Sequence, residues 1–304
     1  MLTQQPQRSI LITGVNGQVG AELAHVLAPL GQIHALTRAE LDLTRPENIR
    51  EVVRALHPVW IVNPAAYTAV DRAETERELA EAVNATAPGV LGEEAARIGA
   101  AVLHFSTDYV YSGDGTAPCS ETAPTGPLGV YGATKLAGEQ ALAASGAAHI
   151  ILRTSWVYGA TGRNFLLTIL RAAREKQQMK IVSDQHGAPT WSRDLARLVA
   201  TILVAAPDAE SAAAYQGIYH AAARGETTWF GFADEAIRQR RRMEPQAHFA
   251  ELIPIPTTEY PTPARRPANS RLHCGKLEST FGFEFPNWKR SLAEVLAEIP
   301  LPQA

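Results

Sequence analysis

Tyr131 and Lys135 stand four residues apart in Val130-Tyr131-Gly132-Ala133-Thr134-Lys135, downstream of Ser106-Thr107-Asp108. On a helix, residues four apart lie on one face, one turn above the other, so this phenol and ammonium would project together. A phenol with an ordinary pKa of about 10 needs help to move a proton near neutrality. A cation beside it favours the phenolate, and a shift of about 3 units takes roughly 4 kcal/mol of differential interaction. A hydroxyl presented from a strand end, such as Thr107, can fix the oxygen that receives the proton. Alone the pair is weak, since about one chain in eight of this composition would contain a Tyr-x-x-x-Lys by accident. Its weight depends on the elements that hold it.

Those elements alternate. Ser9 to Thr13 is a short apolar run of buried-strand type, followed by Gly14-Val15-Asn16-Gly17-Gln18-Val19-Gly20. Helical apolar spacing then runs from Ala21 to Leu30 and stops at Gly31, read as a C-cap. Further strands are expected at Ile33–Leu36, Val59–Asn63, Ala101–Ser106 and His149–Thr154. Between them lie a helix opened by Pro46, amphipathic segments at Asp71–Glu81 and Ala87–Ile98, and a long helix from Tyr131 to Ser145. This rhythm predicts an α/β fold, a doubly wound parallel sheet of Rossmann type with ligands at the strands' carboxyl ends. After residue 155 the rhythm loosens into a helix near Asn164–Gln177, a strand at Lys180–Val182, a helix from Ser192 capped by that residue, a strand at Gly217–Ala221, a helix from Thr228, an extended Ile253–Ile255 and two short terminal helices. We read 1–155 as the dinucleotide-binding domain and 156–304 as a smaller, interleaved substrate lobe, some of whose elements return to the main sheet.

The glycine loop sits where a dinucleotide would want it. Its glycines permit a tight turn and close backbone approach to a pyrophosphate, and the following helix N-terminus offers free N–H groups. At the end of the second strand Thr37-Arg38 replaces the acid that often binds a ribose 2′-hydroxyl, and an Arg there suits a 2′-phosphate. NADPH is therefore favoured over NADH. Asp42 and Leu43 could frame the adenine. The loop from Asn63 through Ala65, Ala66, Tyr67 and Thr68 would face the nicotinamide ribose and phosphates.

Composition agrees with a globular enzyme or binding protein. The hydrophobic content is 46%, charged residues make up 19%, and the net charge of −3 gives no electrostatic argument for nucleic acid or an anionic membrane. Cys119 and Cys274 have no ligand or disulfide spacing, and the nine His form no cluster, so no metal site is predicted. Met1 to Ser9 lacks a signal-peptide core, no apolar run reaches a membrane span, and a cytoplasmic location is expected. Arg265, Arg266 and Arg271 lie in a segment stiffened by Pro261, Pro263 and Pro267. They could clamp a nucleotide diphosphate or form salt bridges within the small lobe. Trp156, just past the fifth strand, could floor a deoxysugar or pack in the core.

Thr13-Gly14-x-x-Gly17-x-x-Gly20, Ser106-Thr107-Asp108-Tyr109-Val110-Tyr111 and Val130-Tyr131-Gly132-x-Thr134-Lys135 together resemble the extended short-chain dehydrogenase/reductases. Arg153-Thr154-Ser155-Trp156-Val157-Tyr158, Gly187-Ala188-Pro189-Thr190 and Pro261-Thr262-Pro263-Ala264-Arg265-Arg266-Pro267 narrow the resemblance to the dTDP-4-dehydrorhamnose reductase family. It implies hydride transfer from NAD(P)H to C4 of a dTDP-4-keto-6-deoxysugar. It implies that Tyr131 protonates the oxygen, Lys135 lowers the Tyr131 pKa and holds the ribose, Thr107 binds the reacting oxygen and Asp108 positions the sugar hydroxyls. Some members are described with Mg²⁺ held between subunits by carboxylates. Glu22 is in place here, but Arg193 stands near another of those positions, so the sequence predicts no metal and leaves a homodimer open. Asn63-Pro64 also departs from the family, which usually has a small residue after the Asn. Related dehydratases follow the Thr with Asp-Glu, whereas Asp108 is followed by Tyr109. The alternatives are a reductase of another NDP-4-keto-6-deoxysugar and a non-catalytic NADP-binding subunit resembling the methionine adenosyltransferase β subunit.

Overall fold

Short apolar runs assemble a parallel sheet at the centre of the computed structural model, which describes residues 8–301. Residues 1–7, most of the stretch read above for a signal peptide, lie outside the described residues. In chain order the elements are β1 (Ser9–Ile12), α1 (Gln18–Val26), β2 (Gln32–Ala35), α2 (Pro46–Leu56), β3 (Trp60–Asn63), α3 (Val70–Ala73), α4 (Arg77–Glu81), α5 (Ala87–Ile98) and β4 (Ala101–Thr107). Then come α6 (Val130–Ala144), β5 (Ala148–Thr154), β6 (Val157–Tyr158), α7 (Phe165–Glu175), β7 (Gln178–Val182), β8 (His186–Gly187), β9 (Thr190–Trp191) and α8 (Ser192–Ala205). The chain finishes with α9 (Ala209–Ala213), β10 (Gly217–His220), β11 (Thr227–Thr228), α10 (Trp229–Met243), β12 (Glu251–Ile255), α11 (Gly275–Phe281) and α12 (Trp288–Glu298).

Six strands pair in parallel in the order β10-β5-β4-β3-β1-β2. The order reverses between β1 and β3, where doubly wound sheets open a crevice at their carboxyl ends. Alternation along the strands divides the core. Ile10, Ile12, Val62, Leu103 and Phe105 face α1 and α8, while Leu11, Ile61, Val102 and Ile151 face α2, α5 and α6. Both faces are covered, so β4 is buried along its whole length. The smaller lobe has its own clusters: Tyr158, Trp191, Phe232 and Trp288 in one, Met179, Ile181 and Phe249 in the other. There β12 pairs in parallel with β7. No helix among the described residues is long and apolar enough to cross a membrane.

Local expectations failed where tertiary partners intervened. The first helix ends at Val26, a 3₁₀ turn occupies Ala28–Leu30, and Gly31 is extended at φ 167° rather than a left-handed cap. Ser192 is the first residue of α8 and caps nothing; Trp191 holds the cap position without a side-chain bond. Thr228 does cap α10, accepting from Gly231 N at 3.1 Å. The segment Asp71–Glu81 breaks into α3 and α4. Between them the Glu74 carboxylate turns to the start of α6 and accepts from Val130 N at 2.8 Å. A π-helical turn, Ala82–Thr86, then leads into α5.

Candidate active site

The carboxyl ends of β1, β3, β4 and β5 open into a cavity of about 650 Å³. At one end β1 runs into the glycine loop. Gly14 takes φ +57°, a left-handed turn that favours glycine. A Cβ on Gly20 would sit 2.3 Å from the Gly14 carbonyl oxygen, so α1 can approach the loop this closely only without a side chain there. Gly17 occupies the cap position of α1 with no side-chain cap, and the first residues of the helix, Gln18, Val19 and Gly20, line the cavity. Uncapped N–H groups at a helix N-terminus form a site for a phosphate. Arg38, Asp42 and Leu43 continue the wall, as do Ala65, Ala66, Tyr67 and Thr68. Past the end of β2 the nearest acid, Glu40, accepts from the N–H and hydroxyl of Thr37, both at 2.8 Å. That turn uses the carboxylate and Thr37 alike, and Thr37 does not line the cavity. Asn63 does not line it either: it is buried and bonded to Thr13 and His104.

At the other end, β4 delivers Thr107 and α6 delivers Tyr131. Thr107 Oγ1 caps the next turn, accepting from Tyr109 N at 3.2 Å, and donates to Asp108 Oδ1 at 2.9 Å. Tyr131 packs edge-on against Tyr109 with ring centroids 5.5 Å apart. Burial pushes the Tyr131 phenol up to about 12; the Thr107 hydroxyl opposes this and the Asp108 carboxylate adds to it. The Lys135 amine, 1% exposed, donates to Phe105 O at 2.6 Å and lies 3.0 Å from His104 Nε2. Burial lowers its own pKa to about 7, with Glu139 working the other way. A phenol with a raised pKa holds its proton near neutrality, which suits an acid rather than a base.

Asp108 is the unusual group of the site. Its Oδ2 is buried without a hydrogen-bond partner among the described residues, and the residue lines the cavity. Burial raises its carboxyl to about 6, against the hydroxyls of Ser270 and Thr107. A folded pKa above the unfolded one means that ionisation costs stability: the native form gains protons as pH falls through 6, and stability declines between pH 4 and pH 6 as pH rises. Asp108→Asn should therefore stabilise the fold, by on the order of 1 kcal/mol at pH 7. Thermal melting at pH 7 and at pH 4 checks this; a variant that melts lower than the parent at pH 7 would refute it.

Trp156 adopts a left-handed backbone, φ +48°, which is strained for a bulky residue. Its indole stacks on Trp229 at 3.7 Å and 13°, and both rings line the cavity. A Cβ on Gly187 would lie 2.6 Å from the Trp156 ring, so the glycine makes room for the stack.

The arginine segment behaves differently from expectation. Arg266 forms a two-pronged pair with Asp71 at 2.8 and 3.1 Å. Arg271 bonds Asn269 Oδ1 at 2.8 Å and Glu226 at 2.9 Å. Arg265 is exposed, and none of the three lines the cavity. Arg271 bridges to Glu226 within 156–304, as the salt-bridge alternative has it, whereas Arg266 reaches Asp71, in the stretch read as the dinucleotide-binding domain. The cation missed by the sequence is Arg163, on the cavity wall beside α1, where Gln18 Nε2 donates to Thr161 O at 2.6 Å and Asn164 donates to Gln18 Oε1 at 3.1 Å. Asn84 was also missed: it accepts from Tyr67 N at 2.8 Å and donates to Tyr67 O at 3.1 Å, clamping the cofactor wall to the π turn. An Asn inside a helical run is a legible anomaly. Away from the cavity, Arg193 pairs with Glu22 at 2.8 Å and with Glu298, its guanidinium lying between the two carboxylates.

Known proteins share this arrangement of sequence and fold. The family model described as RmlD substrate binding domain matches residues 8–300. A dTDP-4-dehydrorhamnose reductase of Burkholderia thailandensis is 48% identical over 92% of this chain and 95% of its own length. One from Escherichia coli is 43% identical over 96% and 98%. The crystal structure of the Bacillus anthracis dTDP-4-dehydrorhamnose reductase in complex with NADP superposes with a TM-score of 0.88 at 31% identity, covering 96% of this chain and 99% of that one. With matches of this extent, the chain belongs to the dTDP-4-dehydrorhamnose reductase family.

Proposed function

We propose that this protein reduces the C4 ketone of dTDP-4-dehydro-L-rhamnose to the alcohol of dTDP-L-rhamnose with NADPH, Tyr131 giving the proton. The observation that carries the reading is the single cavity with a phosphate cradle at one end and Thr107, Asp108, Tyr131 and Lys135 at the other. The names of the relatives support the substrate, and the NADP of the Bacillus anthracis structure supports the cofactor. When bound, the dinucleotide supplies the hydride. The glycine loop and the open end of α1 hold its pyrophosphate, and Arg38 holds the 2′-phosphate. Thr107 orients the C4 oxygen. Tyr131 releases its proton to that oxygen, leaving a phenolate that a protonated Lys135 offsets. Asp108 accepts from a sugar hydroxyl, and the Trp156–Trp229 stack shapes the sugar end. Purified protein should consume NADPH absorbance when given the dTDP-keto sugar. A protein that binds NADP yet is inert with that sugar would instead fit a regulatory subunit.

The two cavity arginines should separate by cofactor. Arg38→Ala should raise the KM for NADPH by about 10–30-fold and that for NADH by less than about threefold, because one charge-assisted contact to the extra phosphate is lost. Arg163→Ala should weaken both cofactors by similar factors, as a contact to their shared diphosphate would. Equal losses for both cofactors in Arg38→Ala would show that Arg38 does not read the 2′-phosphate.

A further inference from the structure

Beneath the reacting groups lies a buried polar chain that the steps above leave unused. Alternate residues of β1, β3 and β4 face α6, and at the carboxyl ends this face carries Thr13, Asn63 and His104. Asn63 and His104 stand directly opposite each other in the ladder. All three are buried, and α6 sets Lys135 on top of them. Lys135 Nζ lies 3.0 Å from His104 Nε2, and His104 Nδ1 lies 3.0 Å from Asn63 Nδ2. Thr13 Oγ1 donates to Asn63 Oδ1 at 2.6 Å and accepts from Ala65 N at 3.3 Å. The chain thus runs from Lys135 to the loop that walls the cofactor end.

Donor counting restricts what this chain can be. Asn63 Nδ2 only donates, so His104 Nδ1 accepts and a neutral imidazole carries its proton on Nε2. That proton points at Lys135, which can accept it only as a neutral amine. An ammonium has no lone pair. Once Lys135 is protonated it must donate to Nε2, the imidazole proton moves to Nδ1, and Asn63 must turn its amide over to present Oδ1. Mixed arrangements leave two buried donors facing each other, which is unfavourable. The ring itself stays neutral in both states, since burial and then the Lys135 charge hold His104 well below its usual range. The other ionisable groups around Lys135 are Glu139 on its own helix, tied to Arg153 of β5, with Tyr131 and Asp108 on the cavity side.

We propose that His104 is the positioning residue of Lys135, its tautomer and the Asn63 amide switching together with the lysine proton, so that Lys135 keeps a partner in both charge states. The proposal rests on the role given to Lys135 above, but its test needs no turnover. In cofactor-free, ¹⁵N-labelled protein, the His104 ring should carry its proton on Nδ1 at low pH and on Nε2 at high pH. The midpoint should coincide with that of the Lys135 Nζ resonance. A proton fixed on one nitrogen throughout, or a swap that does not follow Lys135, would overturn the proposal. His104→Gln offers an acceptor in place of Nε2 but cannot change tautomer. It should raise the Lys135 midpoint by about one pH unit, a tenfold gain in proton affinity. An unmoved midpoint in that variant would also overturn it, and if the variant does not fold, the wild-type resonances still decide.

Discussion

Tyr131→Phe should lower kcat by about 10²- to 10⁴-fold and leave the KM for NADPH within about threefold. The phenol is pushed up to about 12, so at neutral pH it holds its proton fully and can act as the acid. Phenylalanine removes the hydroxyl, and with it that proton and the Thr107 hydrogen bond. The ring keeps its edge-on contact with Tyr109, at 5.5 Å between centroids, so the start of α6 stays where it is. Steady-state NADPH consumption with the dTDP-keto sugar, beside a melting curve, gives the answer. A loss of less than tenfold with an unchanged fold would mean that the C4 oxygen takes its proton from elsewhere, and Asp108 would be the next acid to examine.

Arg153→Met should cost about 3–5 kcal/mol of folding stability, the second large effect. Arg153 donates to both Glu139 oxygens, through Nε at 2.9 Å and Nη2 at 2.5 Å, and to the Tyr111 hydroxyl at 2.6 Å. Each side chain of the pair is 3% exposed. Removing the guanidinium leaves a buried carboxylate whose remaining hydrogen bond comes from the Ser106 hydroxyl. The penalty comes from the charge left behind, so Arg153→Met combined with Glu139→Leu should recover most of it. Urea unfolding of the single and double variants separates this from loss of packing: a double variant as unstable as the single one would contradict it.

These effects differ in how far the sequence could foretell them. The glycine loop, Thr107 and the Tyr131–Lys135 pair are local patterns whose meaning needs only a strand before and a helix after. Their positions were legible for that reason. The burial that raises the Tyr131 phenol was not, because it depends on how α6 packs against β4 and the turn after it. The arginine segment misled for a similar reason. Its rigidity and charge were visible, but Arg266 finds Asp71 across 195 positions and Arg271 finds Glu226 across 45. Arg163 and Trp229 reach the cavity from the smaller lobe and carry no motif. Ser192 looked like a cap because caps are usually hydroxyls; strand β9 fixes the entry to α8 instead.

The sixth strand has a consequence for synthesis. β5 is complete at Thr154, yet its outer neighbour β10 begins at Gly217, with four short strands and three helices made in between. As the chain leaves the ribosome, an apolar edge of β5 must therefore wait, unpaired, for more than fifty further residues. A nascent chain halted in that interval displays an open parallel edge of the kind that recruits other strands. The late closure of the main sheet by β10 is thus also a point at which newly made protein is open to aggregation.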